Sequence, residues 1–166
     1  MKFLFLSLLL ITGCSVSKFY RTSDVTKELK KNASQLNLIA WSVDKDYQDK
    51  AAFYSNYHRD AKNKDTFILQ DLYWRLAELK NKRDFIMRKS NDLKAFNDGL
   101  LTELDDMKEV RETDPAYKKI ETFAKTTGPE VRALFSEYAN YKTSSTEFAK
   151  FALFTGNLWK KSSSTK

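Results

Sequence analysis

The residue types that most often perform chemistry are scarce in this chain of 166 residues, which holds one Cys and one His. That inventory excludes a disulfide framework, a Cys/His zinc site and a Cys–His catalytic pair within one mature chain. The single histidine, His58, is conceivable as a general base, because histidine as a residue type exchanges protons near neutral pH. Its place near the end of a predicted helix favours a capping or solvent-facing role instead.

One acidic stretch is rich enough to suggest calcium, which prefers carboxylate oxygens. It lacks the Asp-x-Asp-x-Asp-Gly pattern, and Leu104 and Met107 interrupt it at helical spacing, so it is more typical of a solvated helix face. No glycine-rich phosphate loop and no Gly-x-Ser-x-Gly elbow is present. We therefore expect no enzymatic activity, no metal and no soluble cofactor. The acidic stretch considered above for calcium comprises Glu103, Asp105, Asp106, Glu109, Glu112 and Asp114.

The N-terminus has the pattern of a secretory signal. Lys2 precedes an apolar run over residues 3–11, and small residues then lead to Cys14. The run has about half of the roughly 20 residues that a membrane-spanning helix needs. The pattern thus predicts a cleaved signal rather than a permanent span.

Residues Ile11, Thr12, Gly13 and Cys14 resemble the lipobox of bacterial lipoproteins. The resemblance implies cleavage after Gly13, covalent diacylglycerol on the Cys14 thiol, and in many hosts an acyl chain on its new amine. Ser15 after the cysteine resembles lipoproteins sent to the outer membrane of diderm bacteria, facing the periplasm. In a monoderm host the same protein would lie on the outer face of the cytoplasmic membrane. The resemblance covers residues 1–14, and no family is recognised in the remainder.

Apolar periodicity predicts an all-α fold. A first long helix is predicted from Ser23 or Asp24 to about His58, and a second from Asp65 or Thr66 to about Glu112. Both carry apolar residues at alternating steps of three and four. Such seams are typical of helices packed lengthwise, so the two helices are expected to form a long antiparallel, coiled-coil-like hairpin.

The C-terminal third carries more helix stop and start signals. Asp114 with Pro115, the Thr127–Pro129 segment, and Ser144 with Glu147 predict about three shorter helices packed on the hairpin. No strand is expected. The predicted organisation is a signal peptide over 1–13, a lipidated Cys and short tether over 14–22, one helical domain over 23–160, and a frayed tail over 161–166.

The seam of the second helix has a polar interruption. Arg83, Ser90 and Asn97 are spaced seven residues apart and occupy one heptad position. The favoured interpretation is a solvated stripe. A buried polar layer that sets helix register and a groove for a partner's polar group remain as alternatives.

Two surface features suggest partners, each beside a plainer interpretation. A basic segment of the second helix suits an anionic surface, although a solvated helix face is the favoured interpretation. The aromatic candidates suit the membrane interface or a protein partner, or else they pack on the domain, which is the favoured interpretation for Trp74. The basic segment comprises Lys80, Lys82, Arg83, Arg88, Lys89 and Lys94, and the aromatic candidates are Phe19, Tyr20 and Trp74.

These features together predict a lipid-anchored envelope protein with a binding, scaffolding or assembly role. Its expected partners are the membrane, through Cys14, and another envelope protein; nucleic acid is not expected. The formal charge of +7 keeps a second hypothesis open, in which the basic helix face binds cell wall or membrane. A third hypothesis is a coiled-coil homo-oligomer with a structural role.

Overall fold

The computed structural model describes residues 19–59 and 66–163, with side chains as far as residue 156. The fold is all-α, as predicted, apart from one small sheet. The elements in chain order are β1 (Phe19–Arg21), α1 (Thr22–Arg59), α2 (Thr66–Leu104), β2 (Glu109–Arg111), α3 (Pro115–Thr122), a π-helical segment (Phe123–Thr127) and α4 (Gly128–Ser163).

Helices α1 and α2 contact each other along their length because each places an apolar stripe on one face. Leu36 and Val43 of α1 are fully buried in one cluster with Leu72 and Leu79 of α2. Residues nearer the C-terminus of α1 contact residues nearer the N-terminus of α2. The tilted rings of Tyr54 and Tyr73 lie 6.4 Å apart, and Asp44 pairs with Arg83.

Helix α4 covers the seam between α1 and α2. Tyr141 and Phe148 of α4 are fully buried in that same cluster, and Phe53 of α1 meets the Phe148 ring edge-on at 6.3 Å. The apolar seams of α1 and α2 are consequently occupied within the chain itself.

The prediction of three short C-terminal helices was wrong in one respect, because α4 runs unbroken through Ser144 and Glu147 to Ser163. Hydroxyl groups here bond back to their own helix instead of capping a new one. Thr143 donates to the Ala139 carbonyl at 3.2 Å, and Thr146 donates to the Lys142 carbonyl at 2.9 Å. The helix also enters the predicted frayed tail.

The predicted break at Gly128 is a change of helix type rather than a turn. Gly128 has φ −60° and ψ −50°, which is ordinary right-handed helix, so it does not end the chain's helical path. Pro129 has no N–H to donate to the carbonyl four residues earlier, and its ring would crowd that carbonyl. The wider π turn over Phe123–Thr127 accommodates this defect between α3 and α4.

Helix α2 ends at Leu104, about eight residues earlier than predicted, and continues unbroken through Asn97, Asp98 and Gly99. The chain then forms β2, which pairs antiparallel with β1 in the register Phe19–Arg111, Tyr20–Val110 and Arg21–Glu109. The expectation of no strand was therefore wrong. Strands of three residues are too short to show an alternating apolar pattern in the sequence.

The predicted solvated stripe on α2 is also wrong. Ser90 is 2% exposed and Asn97 is 0% exposed, and neither side chain has a hydrogen-bond partner within the described part of the chain. Arg83 is partly buried, and its Nε donates to an Asp44 carboxylate oxygen at 2.7 Å. Burial follows because that face of α2 meets other helices along most of its length.

Candidate functional site

The predicted lipidation residue, Cys14, and the signal peptide over 1–13 lie outside the described residues. Four residues, 15–18, separate Cys14 from the first residue of β1. Within 19–59 and 66–163, no helix combines the length and apolar character that crossing a bilayer requires. The attachment chemistry thus stays a prediction, while the point where the chain enters the folded domain is defined.

The entry of the chain is fixed by the β1–β2 pair. Tyr20 packs against Tyr117 with ring centroids 5.0 Å apart, next to the fully buried Val110. Phe19, on the opposite face of the strand, is 46% exposed. The two aromatic residues that the sequence grouped together therefore differ in role, because successive side chains of a strand point to opposite faces.

Two adjoining open grooves flank this entry. One has a volume of about 510 Å³ and is lined by Phe19, Arg21, Ser23, Lys108 and Glu109. The other, of about 670 Å³, shares Ser23 and Lys108 with the first and extends along α1 to Lys30 and along the turn after α2 to Met107. We call the set Phe19, Arg21, Lys30, Met107 and Lys108 the entry surface. The sequence did not reveal it, because its members come from three separate segments.

The basic segment of α2 does not form one free surface. Lys82 contacts Glu78 at 2.6 Å and Ser144 of α4 at 2.7 Å, Arg83 pairs with Asp44 of α1, and Lys94 pairs with Asp98. The pairing with Lys82 lowers the pKa of Glu78 below its ordinary value. Three of the six cations in the predicted patch thus form ion pairs with carboxylates of the domain itself. The remaining members, Lys80, Arg88 and Lys89, are exposed.

The aromatic residues around the α1 C-terminus and the α2 N-terminus divide between core and surface. Tyr47, Tyr54 and Tyr57 pack against the main cluster, as their seam positions predict. Trp74 is 61% exposed and meets the exposed Tyr73 edge-on at 5.6 Å. Trp74 is therefore a surface residue, and no neighbouring helix covers it.

The partly buried carboxylate of Asp46 ties α1 to α4. Its carboxylate accepts hydrogen bonds from Lys50 at 2.8 Å, Ser145 at 2.7 Å and Tyr141 at 3.0 Å. Burial acts to raise the Asp46 pKa, but these three donors outweigh it and hold the pKa below its ordinary value. Burial and the neighbouring carboxylate raise the pKa of Tyr141. Helical spacing relates Asp46 only to Lys50, four residues later, because Tyr141 and Ser145 lie 95 and 99 residues away in the chain.

The residues that the sequence offered for chemistry lie apart in the described part of the chain. Within the described ranges no three His, Cys, Asp or Glu side chains gather as a metal site would require. His58 is exposed, and its ring centroid lies 6.0 Å from that of Tyr54. The acidic stretch of the sequence is divided among α2, β2 and the turns on either side of β2. Comparison of the chain with protein-family models, with curated proteins and with solved structures found no match.

Proposed function

We propose that this protein is a lipid-anchored component of a bacterial cell envelope with a non-catalytic binding, scaffolding or assembly role. The observation that carries the proposal is the Ile11-Thr12-Gly13-Cys14 motif at the end of a short apolar run. Cys14 would carry diacylglycerol and, in hosts with the acyltransferase, an N-acyl chain. Two or three acyl chains hold a protein on a membrane stably, whereas a single chain is marginal.

The helical architecture supports a scaffolding role. In this proposal α1 and α2 form an antiparallel, coiled-coil-like hairpin that α4 completes. Helix α1 has 38 residues and so measures about 57 Å at 1.5 Å per residue. A rod of this length can present a partner-binding end well away from the membrane. The exposed Trp74, near the start of α2, is a candidate contact for another envelope protein.

Localisation follows from the proposed signal. Ser15 favours the outer membrane, facing the periplasm, if the host is a diderm, and the outer face of the cytoplasmic membrane otherwise. The partners are then the membrane, through Cys14, and a second envelope protein.

The direct test is the intact mass of the chain after expression in a diderm host. We expect loss of residues 1–13 and a mass increase equal to diacylglycerol with or without a third acyl chain. Cys14→Ser should leave unprocessed precursor of higher mass in the same membranes. An unmodified Cys14 in the wild-type chain would contradict the proposal.

A matched control separates the motif from the mere presence of a thiol. The double variant Cys14→Ser, Ser17→Cys keeps one cysteine but moves it by three residues, so that it no longer follows Gly13 directly. We expect no acylation of this variant. Acylation at position 17 would indicate that the thiol, not the motif, directs the modification.

A further inference from the structure

We propose that the entry surface docks on the headgroup layer of an anionic membrane, so that the domain has a defined orientation on the bilayer. Arg21, Lys30 and Lys108 would bind lipid phosphates, while Phe19 and Met107 would insert among the headgroups. This inference rests on the proposed lipidation of Cys14 and adds to it a second, non-covalent contact.

The first argument is distance. Five Cα–Cα steps connect Cys14 to Phe19, and a fully extended chain covers at most about 3.6 Å per step, or about 18 Å in total. An anchored Cys14 therefore holds β1 close to the headgroups whatever path residues 15–18 take. The long helices cannot bring their opposite end equally near without laying the whole domain flat.

The second argument is charge complementarity. Three cations of the entry surface come from β1, α1 and the turn before β2. Glu109 of β2 lines the first groove, but its carboxylate pairs with Arg111 at 2.7 Å. The negative charge of Glu109 is therefore balanced by Arg111. Asp105 opposes the three cations in the second groove. The net positive balance suits lipid phosphates, which attract each nearby lysine or arginine.

The third argument is the apolar exposure beside those cations. Phe19 is 46% exposed and Met107 is 37% exposed, although both adjoin a well-packed cluster that contains Tyr20 and Val110. Large apolar side chains flanked by cations are typical of surfaces that lie in a membrane interface.

The orientation can be measured with spin labels on the full acylated chain in vesicles of phosphatidylglycerol. Cys14 is the only cysteine, so once it is acylated an introduced cysteine is the only free thiol. Ser23→Cys places a label in both grooves, and Ser55→Cys places a matched label on the exposed face near the C-terminus of α1. We expect the label at 23 to be shielded several-fold from a water-soluble nickel relaxant relative to the label at 55.

Charge variants test the mechanism of docking. Removing one lysine near an anionic surface is expected to lower the docked-to-free ratio about fivefold, so Lys30→Gln with Lys108→Gln should lower it about 25-fold and expose the label at 23. Lys80→Gln with Lys89→Gln makes the same charge change on the exposed part of α2 and should leave the shielding unchanged.

The outcomes separate the two proposals. Equal shielding of the two labels in a chain whose Cys14 is acylated would overturn the docking inference and leave the lipid anchor intact. Shielding that survives the lysine substitutions would overturn the role of Lys30 and Lys108. An unmodified Cys14 would remove the proposed function and this inference together.

Discussion

Replacing Asn97 with leucine should make this protein more stable. The Asn97 side chain is 0% exposed, and neither its amide nitrogen nor its oxygen has a hydrogen-bond partner within the described residues. Its neighbours along the same face of α2 are the buried Leu93 and Leu100. Asparagine and leucine have the same number of side-chain heavy atoms and branch at the same carbon. The leucine methyl groups take more room than the planar amide, so some repacking of the neighbours will offset part of the gain.

The magnitude follows from the two unpaired atoms. A buried polar group without a partner costs about 1–3 kcal/mol, and the leucine methyl groups avoid that cost while adding apolar contact. We expect a net gain of about 2–4 kcal/mol in the free energy of unfolding. For a domain of this size this corresponds to a rise in Tm of roughly 5–15 °C.

The assay is urea unfolding of the acylated chain in detergent, followed by helical circular dichroism. Asn91→Leu is the matched control, because Asn91 lies on the exposed face of the same helix and reports the gain in helix propensity alone. Ser90→Ala removes a single unpaired hydroxyl and should stabilise by about 1 kcal/mol. Light scattering checks the mass, because a buried asparagine can specify helix register and oligomeric state.

A loss of stability in Asn97→Leu would refute the reasoning. That result would mean that the amide is hydrogen-bonded in solution, for example to an internal water molecule, and that leucine breaks the bond. A gain in stability together with a changed mass would identify Asn97 as a residue that sets the oligomeric state at a cost in stability.

Three further changes have expected outcomes. Arg83→Leu should lower the free energy of unfolding in urea by about 1 kcal/mol, because it leaves Asp44 without its partner. Solvent partly screens this pair, which keeps the value small. Adding Asp44→Asn should recover part of the loss. The pKa of Asp46 in the folded protein lies below its unfolded value. The ionised Asp46 therefore stabilises the fold fully above about pH 4, and this contribution is lost as pH falls through the folded pKa. Urea midpoints should fall more steeply below pH 4 in the wild type than in Asp46→Asn. Tyr20→Ala should destabilise by about 1–3 kcal/mol because it removes the ring that packs on Tyr117, as a thermal melt will show.

Local patterns in the sequence were sufficient for the helices and for most buried positions. The bounds of α1 agree with the prediction to within one or two residues, and Pro115 begins α3 after Asp114 as its N-cap. Leu36, Leu72 and Leu79 are buried as their spacing predicts. These features are local because an apolar stripe on a helix is set by neighbours three and four residues away.

The end of α2, the continuity of α4 and the β1–β2 pair depended on contacts outside the local pattern. Ser144 looks like a cap in the sequence, yet Lys82 of α2 donates to its hydroxyl at 2.7 Å within an unbroken helix. Strand β1 exists because β2, about ninety residues later, supplies its backbone partners. No short window of sequence contains both halves of such a contact.

The candidate sites divide in the same way. The residues around Cys14 carry the whole lipidation hypothesis, because a processing enzyme reads a short linear segment. The basic segment of α2 lost three of its members to ion pairs and hydrogen bonds, while Lys30, Met107 and Lys108 were brought together at the chain's entry. Residue type and spacing determine which face of a helix is apolar. Which charged side chains stay free, and which polar ones such as Asn97 become buried, depends on the helix packed opposite, and only the tertiary structure decides that.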